Sequence, residues 1–231
     1  MIIIPEIEAI YVRVPGNEDG TFSQAILDRY SDAHILYNQM EVDGIPIEFK
    51  HYDKFGIIRD PIERLWNFYH SHKRKEVTQH SLDAYGTSIN DYDFETWLIL
   101  NSSCFKAERL PQRTRADNTL YDANAIIHHI PENQKSQYFY FMPTNGFAPF
   151  AEDSVANANT QIGLYPYSHI QDFAQTIGIR EPICNEEPYG SPPVQLTAIT
   201  RSTVNRLFAW DFHMTEVMRV ALLQADRSRN A

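Results

Sequence analysis

From Phe55 to Lys75 the chain reads FGIIRDPIERLWNFYHSHKRK, and this run constrains the fold more than any other. Phe55 to Ile58 is an apolar stretch of strand length that runs into Arg59, and Asp60-Pro61 then opens a helix. Asp60 suits the cap, Pro61 suits a first turn that needs no N–H, and Glu63 stands where a capping box requires an acid. Ile62, Leu65, Trp66 and Tyr69 recur at i, i+3, i+4 and i+7, which predicts one buried stripe. Arg64, Asn67, Ser71 and Arg74 fall on a second, polar face. A strand that delivers an arginine to a helix N-terminus suits an anion, because free N–H groups and the helix dipole point the same way. The plain alternative is a strand-to-helix corner in which Arg59 pairs with a surface carboxylate.

A second strand-to-helix unit precedes it. Ala9 to Val14, AIYVRV, is β-branched and aromatic and predicts a buried strand. Pro15 to Thr21, PGNEDGT, follows as a turn-rich loop, and Phe22 to Tyr30 reads as helix. Such a loop is an arrangement in which backbone N–H groups cradle phosphate. It does not satisfy the triphosphatase pattern G-x-x-x-x-G-K-[ST], since no lysine follows Gly20 and Thr21. By local pattern alone it is also an ordinary βα turn.

Taken together, the two stretches resemble carbohydrate-type and bacterial sulfotransferases that use 3′-phosphoadenosine-5′-phosphosulfate (PAPS). In that family an apolar strand leads to R-D-P, an arginine and leucine, and a serine two residues before a tyrosine; this segment binds the donor's 3′-phosphate. Here Arg59, Asp60, Pro61, Arg64, Leu65 and Tyr69 match, and Asn67 stands at the serine position, where an amide can still donate. The family's first loop, P-K-T-G-G-T-S, holds the 5′-phosphosulfate. V-P-G-N-E-D-G-T-F is similar to it through Val14, Pro15, Gly20 and Thr21, but it is one residue longer and has Gly16 in place of the lysine. Glu18 and Asp19 add negative charge that weakens phosphosulfate binding unless both turn outward. Either Lys50 or Lys54 substitutes for the missing lysine, or donor chemistry has been lost.

The resemblance implies a three-layer α/β/α fold with a mainly parallel sheet, P-loop nucleotide-binding-like, in one domain over residues 1–231. It implies PAPS as co-substrate with Pro15, Gly16, Gly20, Thr21, Arg59 and Asn67 around it, and Lys54 as catalytic cation. The preferred base is His51, because imidazole accepts a proton near neutral pH. His34, His70, His72 or a glutamate are alternatives, and a solvated loop histidine is the plain reading of His51. The implied acceptor is a small molecule or glycan hydroxyl. No metal is required, because cations and N–H dipoles stabilise the transferring group. The rival from another class is a binding or structural protein that keeps the fold but has no transferase activity.

The rest of the chain is consistent with alternating strands and helices. Asp91 to Ser102 predicts an amphipathic helix, Gln137 to Phe141 (QYFYF) a strand, and Ile162 to Tyr165 another. Ser168 to Gln171 opens a capped helix with Ile170, Phe173, Ala174 and Ile177 inward and Gly178 closing it. Thr200 to Leu223 reads as a terminal helix. Arg113, Arg115 and Arg201 are further candidates for ligand contact, and His128-His129 is a poor metal pair because adjacent side chains diverge.

A formal net charge of −10 disfavours a general binder of nucleic acid or membrane surface. Basic residues nevertheless gather locally, at Lys50, Lys54, Arg59, Arg64, Lys73, Arg74 and Lys75. That placement suits a small polyanion. Cys104 and Cys184 are too few and too far apart for a disulfide framework. The opening MIIIPEIEAIYVRV lacks a basic leader and no apolar run reaches the roughly 20 residues of a membrane span, so the expectation is a cytoplasmic, soluble protein of bacterial or viral type. Oligomeric state has no signal in the sequence.

Overall fold

A computed structural model describes residues 1–18, 20–36, 42–74, 92–103, 136–141, 162–183, 190, 192 and 195–229. The chain is α/β. Its backbone contacts divide it into two compact units: Met1–Arg59, Gln137–Glu186 and His213–Ala231 form the first, and Asp60–Ser136 with Glu187–Phe212 the second.

The first unit is built on five strands: β1 (Ile2–Ile4), β2 (Ala9–Val12), β3 (His34–Ile35), β4 (Asp53–Ile58) and β5 (Ile162–Pro166). Their spatial order is β3-β1-β2-β4-β5. Strands β2, β4 and β5 run parallel, with Val12 opposite Gly56 and Ile58 opposite Pro166. Strand β1 is antiparallel to both of its neighbours, so the sheet as a whole is mixed around a parallel β2-β4-β5 core. The reason is the short link between β1 and β2, a single 3-10 turn over Pro5–Ile7 closed by Glu8 at φ 49°. A connection that short permits only an antiparallel pair.

Alternation along the strands sends side chains to two faces. Ile2, Ile4, Ala9, Tyr11, Phe55 and Ile57 share one core with Phe22 and Ile26 of α1 (Thr21–Arg29). Ile3, Ile10, Val12 and Ile58 share the other with Tyr140 and Phe141. Those two residues lie in a four-residue helix, α4 (Tyr138–Phe141), where the aromatic run predicts a strand. A strand would send Tyr140 and Phe141 to opposite faces, whereas one helical turn lets both bury in the same cluster.

Helix α5 (Ile170–Thr176) buries Ile170, Phe173 and Ala174 as expected. It is entered through a 3-10 turn, Tyr167–His169, without the expected side-chain cap. Gly178 follows at φ 79°.

In the second unit, α2 (Pro61–Arg74) and α3 (Phe94–Ser103) pack with α6 (Ala198–Leu207). Leu65, Tyr69, Phe94, Trp97, Leu98 and Val204 form its core, with Ile62 and Trp66 against it. The predicted stripe on α2 is therefore the buried one. Asp60 caps this helix, accepting from the N–H groups of Ile62 at 2.8 Å and Glu63 at 3.3 Å. Arg64 departs from expectation: it is buried, its guanidinium 5.1 Å from the Phe68 ring centre, because a long side chain can lay its stem and cation on an aromatic neighbour. The terminal helix is two: α6 ends at Leu207 with Phe208 as its C-cap, and α7 (Ala209–Arg229) follows. Among the described residues no helix is long and apolar enough to cross a membrane.

Candidate functional site

The C-terminal ends of β2, β4 and β5 lie side by side, and in open α/β sheets ligands bind beyond such ends. Three features emerge there in the first unit: the loop after β2, Arg59 after β4 and Tyr167 after β5.

The loop begins with a tight turn. Asn17 N–H donates to the Val14 carbonyl at 3.2 Å, with Gly16 at φ 82° in the third position. Pro15 at the second and a positive φ at the third are what a type II turn demands. Glycine meets that demand without steric cost, which is why Gly16 suits the position.

Asn17 itself is fully buried. Its Nδ2 donates at 2.6 Å to the Ile57 carbonyl and at 2.6 Å to Gln137 Oε1, which ties the loop to the end of β4. Gln137 in turn holds Arg59 by its backbone, accepting from the Arg59 N–H at 3.0 Å and donating to the Arg59 carbonyl at 2.7 Å. The Arg59 side chain is only 4% exposed. Its guanidinium carbon lies 4.1 Å from the centre of the Tyr167 ring. These two residues directly follow paired strands, so the stacking is a consequence of register.

Glu18 turns inward. Oε2 accepts from the Ser23 N–H at 3.1 Å, and Oε1 accepts from Arg13 Nε at 3.0 Å and from the Ser23 hydroxyl. Ser23 is the third residue of α1, so the carboxylate accepts a first-turn N–H at the N-terminus of that helix. Gly20, at φ 100°, is the helix cap and provides no side chain, while Thr21 is the first helical residue. Above β2, the Tyr11 hydroxyl is fully buried without a hydrogen-bond partner among the described residues. Burial raises the pKa of this phenol well above its ordinary value, and the charge of Glu18 adds to the effect while Arg13 opposes it.

His51 and Lys54 stand at the other end of β4. At about 3.3 Å per residue, the backbone of Lys54 is roughly 16 Å from that of Arg59. The Lys54 ammonium donates to the carbonyls of Lys50 and Tyr52, both at 2.7 Å. Burial lowers its pKa, with Asp53 opposing. His51 is exposed, its ring edge-on to Tyr52 with centres 4.7 Å apart. Thus Pro15, Gly16, Gly20, Thr21 and Arg59 share one edge of the sheet, and the proposed base and cation do not join them. Lys50, the other substitute cation, is exposed beside His51.

Of the alternative bases, His34 is exposed on β3 and His70 is half-buried on α2. Asn67 is on α2 as well, in the second unit. The side chain of His72 and residues Asp19, Cys104, Arg113, Arg115, His128, His129 and Cys184 lie outside the described residues.

The chain matches no protein-family model, no curated protein and no solved structure. What can be said of its chemistry comes from the residues at the sheet edge. A buried cation stacked on an aromatic face, next to a loop pinned by two amide side chains, is suited to holding a small anionic ligand. Sequence patterns do not mark Asn17, Glu18, Gln137 and Tyr167 for these positions. Glu18 carries the one available signal, an acid shortly before a helix start.

Proposed function

We propose that the chain is a sulfotransferase-like protein of P-loop nucleotide-binding-like fold, taking PAPS at the C-terminal edge of its sheet. In this reading Arg59 binds the 3′-phosphate, and Gly20 and Thr21 face the 5′-phosphosulfate. A hydroxyl oxygen of a carbohydrate or small-molecule acceptor attacks sulfur in line. The bond from sulfur to the 5′-phosphate oxygen breaks, and the acceptor's proton passes to a base.

The observation that carries this reading is the parallel adjacency of β2 and β4. It brings the first loop and Arg59 out on the same side of the sheet, as the family's two phosphate sites require.

A second reading, a protein that keeps the fold and binds without transferring, is favoured by a separate observation. Lys54 is committed to two carbonyls at the far end of β4, with His51 nearby. Neither is at the edge where sulfonate would move.

Calorimetry with 3′-phosphoadenosine-5′-phosphate separates binding from its absence. Wild type is expected to release heat saturably, and Arg59→Ala to bind roughly tenfold or more weakly, the loss of one charge-assisted contact. Arg59→Lys serves where the alanine variant does not fold. No heat from wild type overturns the donor site and favours a structural protein that keeps the fold. Transfer of labelled sulfonate from PAPS to a panel of glycans supports the first, and binding without transfer supports the second.

A further inference from the structure

The donor set around Glu18 is that of an oxyanion site: a helix N–H, a hydroxyl and a guanidinium N–H converge on one carboxylate. That side chain is 1% exposed, whereas Arg13 is 49% exposed. An ordinary cap is supplied by the N-cap residue itself. Here the cap position is Gly20, and the anion arrives from two residues further back.

Two features hold it there. Asn17, the preceding residue, is anchored to β4 and to Gln137, so the backbone leading to Glu18 has little freedom. Arg13, the residue after β2, donates to the same carboxylate oxygen as the Ser23 hydroxyl. Independently, the Tyr11 hydroxyl is a buried donor with no acceptor among the described residues. Its ring lies edge-on to Phe22, the second residue of α1, with centres 5.2 Å apart, and Glu18 is the charged group that most disturbs its ionisation.

We infer that Glu18 is a tethered anion, an autoinhibitory contact that fills the anion-binding end of α1 and keeps phosphate or sulfate groups out of the loop after β2. Occupancy of the loop by an external oxyanion requires the carboxylate to leave. Its removal exposes the Ser23 N–H and hydroxyl, the Arg13 guanidinium and the positive end of the helix dipole to whatever oxyanion is present. The occlusion stands on the geometry of the first unit, while calling the excluded group a phosphosulfate rests on the sulfotransferase reading above.

The test titrates the full chain with sodium sulfate at constant ionic strength, following thermal unfolding and heat of binding. Glu18→Ala is expected to gain a saturable rise in Tm and a binding isotherm that wild type lacks, since a ligand that binds only the folded state stabilises it. Adding Arg13→Ala to that variant abolishes the gain. Glu18→Gln, which keeps the side chain's shape and removes its charge, is read by calorimetry where the alanine variant does not fold. An identical sulfate response in wild type and the Glu18 variants overturns the proposal, as does a gain that survives loss of Arg13.

A parallel titration with 3′-phosphoadenosine-5′-phosphate tells the two ideas apart. Sulfate binding to Glu18→Ala with no nucleotide binding by any variant keeps the tethered anion and removes the sulfotransferase reading. Nucleotide binding to wild type with no sulfate gain in the Glu18 variants does the reverse.

Discussion

The side-chain amide of Gln137 pairs with the backbone of Arg59 as a neighbouring strand would, one oxygen accepting the Arg59 N–H and one nitrogen donating to its carbonyl. At that point β4 has run past its last partnered residue, and a buried chain end needs both groups satisfied. A glutamine distant in sequence supplies them, and it shares its oxygen with Asn17. The first βα loop and the arginine that follows β4 are therefore coupled through one amide.

Gln137→Leu removes this clamp and leaves the Arg59 N–H and carbonyl buried without it. The expected loss is about 3 kcal/mol, from two or more unsatisfied polar groups. A shift of the urea midpoint at unchanged slope measures it. A midpoint equal to wild type would show that the clamp contributes nothing.

Gly56 is the position in β4 where a side chain has no room. A Cβ there would lie 2.9 Å from Cζ of Phe141 and closer still to its Cε1, and Phe141 is itself buried. Gly56→Ala is expected to destabilise by about 2 kcal/mol through overpacking. Combining it with Phe141→Leu should recover part of the loss, a coupling readable as a double-mutant cycle.

Gly16→Lys places in the turn the lysine of the sulfotransferase loop. Since Gly16 has φ 82°, the substitution is expected to lower stability by about 1 kcal/mol, the usual penalty of a left-handed residue that is not glycine. Thermal unfolding beside Gly16→Ala checks the cause, because both variants should lose a similar amount whatever the side chain's charge.

Tyr11 makes alkaline stability testable. Its folded pKa is raised, chiefly by burial, and an unfolded tyrosine ionises near pH ~10. The contribution is complete below that pH and is lost as pH climbs toward the folded value, because only the unfolded chain then releases the proton. Tyr11→Phe should abolish this alkaline loss. It should also raise stability at neutral pH by about 1 kcal/mol, since it deletes a buried hydroxyl without a partner among the described residues. Unfolding curves of both proteins at pH 8 and above pH ~10 decide the matter.

The sequence by itself determined the local units. Continuous apolar runs made β2 and β4, the Asp60-Pro61 start and the stripe through Leu65 and Tyr69 made α2, and Pro15-Gly16 made a turn. Each depends on residues a few positions apart, where propensity, capping and side-chain period act directly. Only the tertiary structure decided that β1 lies between β2 and β3, that QYFYF coils into helix, that Arg64 is buried, and that Glu18 faces inward. It also decided the site. Asn17 meets Ile57 across 40 positions and Gln137 across 120, while His51 and Lys54, close to Arg59 in sequence, are carried to the opposite end of the strand between them. A strand separates its two ends by about 3.3 Å per residue, so nearness along the chain became distance in space, and packing brought together residues that no local pattern joins.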